Sequence, residues 1–249
     1  MLRLDALFLA YSQTMRIQII LFSAMLLACS GLLGEGPWQE LEQIAERSVR
    51  AGCADGDMSA CDAIASRATS ATTDEQFLAL YDLFLFACPA GSQMSCAELG
   101  SGHVYGSRPN PDPEQTQAVL VTACRDRNGQ ACHLAGATLA EGRLGFVDEP
   151  GAAELLRTGC AVEHPDCCSW LGLMYEFGRG TEKDREQAFY YFKKGCELGE
   201  DQTGCFNEAL RRNERGEDLE TIITLFQRSC LAGNTLGCDN ARVLREPGG

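Results

Sequence analysis

The stretch "KKGCELGEDQTGC", Lys193–Cys205, decides the fold. It sets Cys196 and Cys205 nine residues apart, each directly preceded by glycine, with Gly199 between them. Such a pair can hold a metal, carry redox chemistry or staple a fold. The spacing recurs along the chain: Cys53, Cys88, Cys124, Cys160, Cys196 and Cys230 follow one another at 35, 36, 36, 36 and 34 residues. A second cysteine comes eight residues later in five units (Cys61, Cys96, Cys132, Cys168, Cys238) and nine later at Cys205. A fixed period of about 20–50 residues is the mark of a solenoid, in which one supersecondary unit repeats.

Aligned on the first cysteine, the units share a helical stripe. Val49, Phe84, Leu120, Leu156, Phe192 and Phe226 stand four residues before it, and Ala45, Leu80, Thr116, Ala152, Ala188 and Ile222 eight before it. That is one face of an α-helix. The preceding residue is always small (Gly52, Ala87, Ala123, Gly159, Gly195, Ser229), as close helix approach requires. Asp112, Asp148, Asp184 and Asp218 lie twelve before the cysteine, with Pro113 after the first, and read as N-caps. In the first unit Leu41 takes that place. The pattern predicts a first helix of about eleven residues ending at each cysteine.

A turn must follow. Two cysteines eight apart on one helix would lie about 12 Å apart along its axis, beyond the roughly 7 Å Cα limit of a disulfide. Gly56, Gly91, Gly199 and Gly233, three residues after the cysteine, are expected to supply a left-handed helix end. A second helix then starts near the second cysteine and carries Ala65, Gly100, Gly136, Gly172 or Ala209 four residues on, where a neighbour packs. The expected architecture is all-α: an α/α solenoid of about six disulfide-stapled helix–turn–helix repeats. The expected bridges are Cys53–Cys61, Cys88–Cys96, Cys124–Cys132, Cys160–Cys168, Cys196–Cys205 and Cys230–Cys238. Each closes a loop of about nine residues, worth about 2–3 kcal/mol on a chain-entropy estimate. Cys167 is left unpaired, because Cys168 aligns with the other second cysteines.

Fourteen cysteines in 249 residues point to an oxidising compartment. His103, His133 and His164 show no ligand-like spacing and short Cys-x2-Cys knuckles are missing, so neither metal nor other cofactor is expected. The N-terminus agrees. Residues 17–28, "IQIILFSAMLLA", follow Arg16 and have the length of a signal-peptide core but not of a membrane span. Residues 1–28 are read as a signal peptide of the lipoprotein type, with Met15 a tidier start than Met1. "LLAC", Leu26–Cys29, resembles a lipobox whose cysteine is acylated, and Ser30 after it favours outer-membrane retention. The reading continues with a short tether over 29–38, the array over 39–245 and a tail over 246–249. Cleavage would remove Arg3, Asp5 and Arg16, a net +1, taking the formal charge from −14 to −15. Such a charge disfavours nucleic acid and anionic headgroups, leaving a lipid anchor as the expected membrane contact.

The segment "CCSWLGLMYEFGRGTEKDREQAFYYFKKGCELG", Cys167–Gly199, resembles the Sel-one-like repeat, a tetratricopeptide-related family, in its cysteine-rich secreted branch. The hallmark L-G-x-x-Y-x-x-G-x-G stands as Leu171, Gly172, Tyr175, Gly178 and Gly180, and Gly142 and Gly106 match Gly178 in the two preceding units. The resemblance implies a right-handed superhelix, intra-repeat disulfides and a concave binding surface. It also raises β-lactam binding or hydrolysis as an alternative function. No Ser-x-x-Lys pair and no Gly-x-Ser-x-Gly elbow occurs, so no catalytic residue is assigned. A haem carrier would need a Cys-x-x-Cys-His motif, which is missing. The "ADGD" run, Ala54–Asp57, lacks the pattern of a calcium loop and reads as an acidic turn. The expectation is an envelope lipoprotein, facing the periplasm or exterior, that binds a protein or peptide.

Overall fold

In a computed structural model of the chain, residues 47–69, 74–105, 109–199 and 201–246 are described. The signal peptide, Cys29, the tether, Leu41, Ala45 and Gly106 lie outside them, as does the side chain of His103. The array falls in the compact unit Val49–Gly249; of the unit Met1–Ser48, residues 47 and 48 are described and are helical. Among the described residues there are helices and no strand. Helical residues 49–54 lead into α1 (Met58–Thr69), α2 (Asp74–Ala87), α3 (Gln93–Tyr105), α4 (Pro113–Arg125), α5 (Gly129–Glu141) and α6 (Glu149–Ala161). Then follow α7 (Pro165–Phe177), α8 (Arg185–Leu198), α9 (Gln202–Glu214), α10 (Leu219–Leu231) and α11 (Thr235–Val243). From α3 to α9, each second helix packs on its own first helix and on the first helix of the next repeat.

The disulfides join Cys53 to Cys61, Cys88 to Cys96, Cys124 to Cys132, Cys160 to Cys168, Cys196 to Cys205 and Cys230 to Cys238, with Cα separations of 4.5–4.8 Å. Asp112, Asp148, Asp184 and Asp218 cap their helices, each carboxylate accepting first-turn backbone N–H groups. The first helices from α4 on run 13–14 residues rather than eleven, because they pass one or two residues beyond the cysteine before the chain turns.

The turn itself demands a left-handed residue three after the first cysteine. Gly56 (φ 90°), Gly91 (φ 114°) and Gly233 (φ 101°) supply it, but so do Arg127 (φ 69°) and Glu163 (φ 64°), which have no glycine's freedom. Closure of the disulfide loop therefore holds two ordinary side chains in a conformation they disfavour. Gly199 departs from the expectation: its φ of 179° is extended backbone.

Second helices begin three residues before the second cysteine, near it as expected, and a capping position precedes each. Asp57, Ser92, Asn128, Asp201 and Asn234 each accept backbone N–H bonds from the first turn that follows. His164 occupies the same position and makes no side-chain cap. Asp57 thus explains the acidic turn; the Ser59 hydroxyl and the Ala60 N–H hold its carboxyl below the usual range.

Packing follows the small-residue positions. A Cβ on Gly136 would lie 2.8 Å from Leu156 Cγ, and one on Gly172 2.7 Å from the ring of Phe192, so each glycine makes the seat for the next repeat's bulky residue. Phe84, Leu120, Leu156, Phe192 and Phe226 are buried there, whereas Val49 and Leu80 near the start are half-buried. Thr116, polar on this stripe, is buried with its hydroxyl bonded to Asn110 and to Tyr81 of the preceding repeat.

Candidate protein-interaction face

The residues C-terminal to each small-residue seat shape the outer surface. After Gly172, Tyr175 stacks on Tyr191 of α8 with ring centroids 5.5 Å apart and planes 6° from parallel. Tyr190 meets Tyr191 edge-on at 5.0 Å and remains 56% exposed. Offset and edge contacts of this kind add about 0.5–1.5 kcal/mol beyond burial and hold the rings in fixed orientations. Burial raises the Tyr191 phenol above its usual pKa, and the nearby Tyr175 hydroxyl adds to the rise.

One helical turn on, Lys193 and Lys194 extend this surface. A cleft of about 370 Å³ is lined by Tyr190, Lys193, Lys194, Glu197 and Leu198. Its cations are tied down: Lys193 pairs with Glu197 at 3.6 Å, and Lys194 Nζ donates to the carbonyl of Cys160 in the preceding repeat at 3.1 Å. Arg157 of α6 acts on the Tyr191 phenol in the opposite sense to burial, lowering its pKa. Lys194 thus ties the first helix of the fifth repeat to that of the fourth. Arg228 repeats the arrangement one unit later, donating to the Cys196 carbonyl. A second cleft, about 400 Å³, lies on the last repeat between Cys230, Cys238 and Arg242. Arg242 stands where earlier repeats carry Gly or Ala, so this end face lacks the seat a further repeat would use.

The glycines of the hallmark shape the loop that follows α7. Gly178 ends α7 in the left-handed region, and Gly180 (φ 65°) passes so close to the preceding loop that a Cβ would fall 2.1 Å from the Glu149 carbonyl oxygen. Between them Arg179 bonds the Glu149 carboxylate at 2.7 Å and the Ala140 carbonyl at 2.8 Å. Nearer the C-terminus, Arg215 forks onto Glu186 at 2.8 and 2.9 Å and lies 4.1 Å above the Phe189 ring.

The second-helix caps and their neighbours form an inner polar ladder, one rung per junction. Ser92 donates to Asp62 at 3.0 Å, Asn128 to Cys96 Sγ at 3.4 Å, and Asn234 to the Gln202 carbonyl at 3.3 Å. Ser169 bonds the buried Asp201 carboxylate, whose pKa burial raises against the lowering influence of Ser169, Thr203 and Gly204. His133 and His164 meet at the remaining junction, with ring centroids 5.9 Å apart. Cys167 is unbonded and buried; its thiol faces the Gly129 carbonyl at 3.5 Å, and burial pushes its pKa far up, so it is a packing residue and a poor nucleophile. Among the described residues no three His, Cys, Asp or Glu side chains gather as a metal site.

The ladder, the staples and the seats define a disulfide-stapled α/α solenoid. Residues 165–200 match the Sel1 repeat, the Sel-one-like unit, so the chain carries that repeat and has the fold of Sel1 repeat proteins. A Sel1 repeat protein from Oxalobacter formigenes superposes with a TM-score of 0.61 at 17% identity, over 78% of this chain and 80% of that one. A protective antigen of uropathogenic Escherichia coli displaying an SLR fold gives 0.60 at 19%, over 79% of this chain and 43% of that one. Cysteine rich protein B of Helicobacter pylori gives 0.46 at 24%, over 54% of this chain and 96% of that one. No curated protein matches the sequence.

Proposed function

We propose that the protein is a cell-envelope lipoprotein, anchored through acylated Cys29 in the outer membrane, whose repeat array binds a protein or peptide at the cleft on α8. The observation that carries this reading is the fixed, partly exposed tyrosine cluster beside the cleft. Tyr190, Tyr191 and Leu198 offer apolar area at low entropic cost, and the paired Lys193, Lys194 and Glu197 supply a polar rim, the composition of protein interfaces. Repeat arrays bind by such extended faces. The net charge of −14 supports a partner other than nucleic acid.

A photo-crosslinking residue placed at Tyr190 in the native envelope should capture a discrete protein in saturable fashion, and the same probe at exposed Glu214 should not. Equal labelling at both positions would remove the cleft from the reading. Mass spectrometry of the native chain should find acylated Cys29 at the N-terminus; a mature chain starting elsewhere would sink the anchor. Purified array should leave a chromogenic β-lactam intact, and steady hydrolysis above that of a reduced, unfolded control would favour the hydrolase alternative.

A further inference from the structure

The rung between the third and fourth repeats pairs two imidazole rings. At every junction the residue in the cap position makes a hydrogen bond across to the preceding repeat, through Ser92, Asn128, Asp201, Asn234 and, at this one, His164. At this one His164 sits where those caps sit and His133 where Ser169 sits. His164 lies over the first turn of α5, where Gly129 makes room: a Cβ there would be 2.7 Å from His164 Cβ. His164 Nε2 and Gln130 Oε1 are hydrogen-bonded at 3.1 Å. Both His133 Nδ1 and His164 Nδ1 are buried without a hydrogen-bond partner. His133 is 6% exposed, and the Trp170 ring stands 6.0 Å from it.

This pocket is suited to two neutral imidazoles and unsuited to two cations. We propose that the His133–His164 contact makes the junction of the third and fourth repeats an acid-sensitive hinge, closed while both rings are neutral and loosened when they gain protons. The charged groups that face the pair are Asp166 on α7, 3.7 Å from His133 Nδ1 and about half-exposed, and Glu141 on α5. Both favour protonation, but burial outweighs them and holds each histidine below the ordinary value of 6.5; His133 is lowered further by the charge of His164. The unfolded chain therefore binds these protons at a higher pH than the folded one. Stability is full above about 6.5 and is lost as the pH falls from there through the folded pKa values. Since neighbouring repeats contribute separately to a solenoid's stability, the loss falls on α5 and α7 first.

The test uses the oxidised array from residue 29 onward. Amide hydrogen exchange and imidazole proton resonances are followed between pH 7.5 and 4.5 for the wild type and for the double variant His133→Ser with His164→Asn, which installs side chains found at other rungs. In the wild type both rings should titrate below 6.5, with exchange accelerating in α5 and α7 ahead of α9–α11. Its thermal midpoint should fall about 3–5 °C further on acidification than that of the double variant, for each tenfold loss in folding equilibrium. Rings that titrate at or above 6.5, or acceleration spread evenly over the array, would overturn the proposal. So would parallel pH dependence of the two proteins. Should the double variant not fold, the wild-type titration and exchange decide by themselves.

Discussion

Gly180→Ala separates two costs that are usually entangled. Gly180 and Gly216 have nearly the same left-handed φ, 65° and 67°, yet a Cβ on Gly180 would meet the Glu149 carbonyl oxygen at 2.1 Å and Pro150 N at 2.8 Å, while one on Gly216 has nothing within 4 Å. Alanine in the left-handed region costs about 1–2 kcal/mol, partly offset by the about 0.4–1 kcal/mol that Gly→Ala gains by restricting the unfolded chain. Gly216→Ala should therefore lose about 1 kcal/mol. Gly180→Ala carries the same cost plus overpacking against backbone, typically about 1–3 kcal/mol, because a peptide group cannot swing aside as a side-chain tip can. The displaced loop also pulls Arg179 from Glu149 and Ala140. Urea unfolding followed by circular dichroism, with disulfides intact, should place Gly180→Ala about 1–3 kcal/mol below Gly216→Ala. Equal losses would refute the claim that Gly180 is required for contact between adjacent loops.

Phe192→Ala should cost about 3–5 kcal/mol, since the fully buried ring fills the seat at Gly172 and the surrounding helices are pinned by staples that limit collapse; a loss under 1 kcal/mol in the same assay would contradict this packing. Non-reducing peptide maps should show the six local bridges, with Cys167 resisting alkylation until the chain unfolds, and rapid native labelling of Cys167 would oppose its burial. Asp201, raised above 3.8 by burial, makes the folded protein hold its proton more tightly than the unfolded chain does. Its contribution therefore weakens as the pH rises from about 3.8 through the folded pKa, a sign opposite to that of the histidine pair. Asp201→Asn should abolish that part of the pH dependence in denaturation curves, and an unchanged slope would rule it out.

Several local features were legible without coordinates. The cysteine period, the four aspartate caps and the small residues before each first cysteine are local signals, because a capped helix, a stapled turn and a close approach each need particular residue types at particular offsets. The second-helix caps were equally legible, as Asp57, Ser92, Asn128, His164, Asp201 and Asn234 all stand four residues before the second cysteine. Placing the helix start only as near the second cysteine left these caps unassigned. The positive φ of Arg127 and Glu163 was not legible, since propensity disfavours it and the closed disulfide loop overrides propensity.

The sequence by itself determined the repeat, its period, its two helices and which cysteines lie within reach of one another, since all of these follow from interactions over a dozen residues or fewer. Only the tertiary structure decided that Tyr175, Tyr190 and Tyr191 form one cluster beside a cleft, and that His133 meets His164 without hydrogen-bond partners for their Nδ1 atoms. The reason is physical. Residues about thirty apart are brought together by the stacking angle of successive repeats, which depends on how the bulky side chains of one hairpin fill the seats of the next.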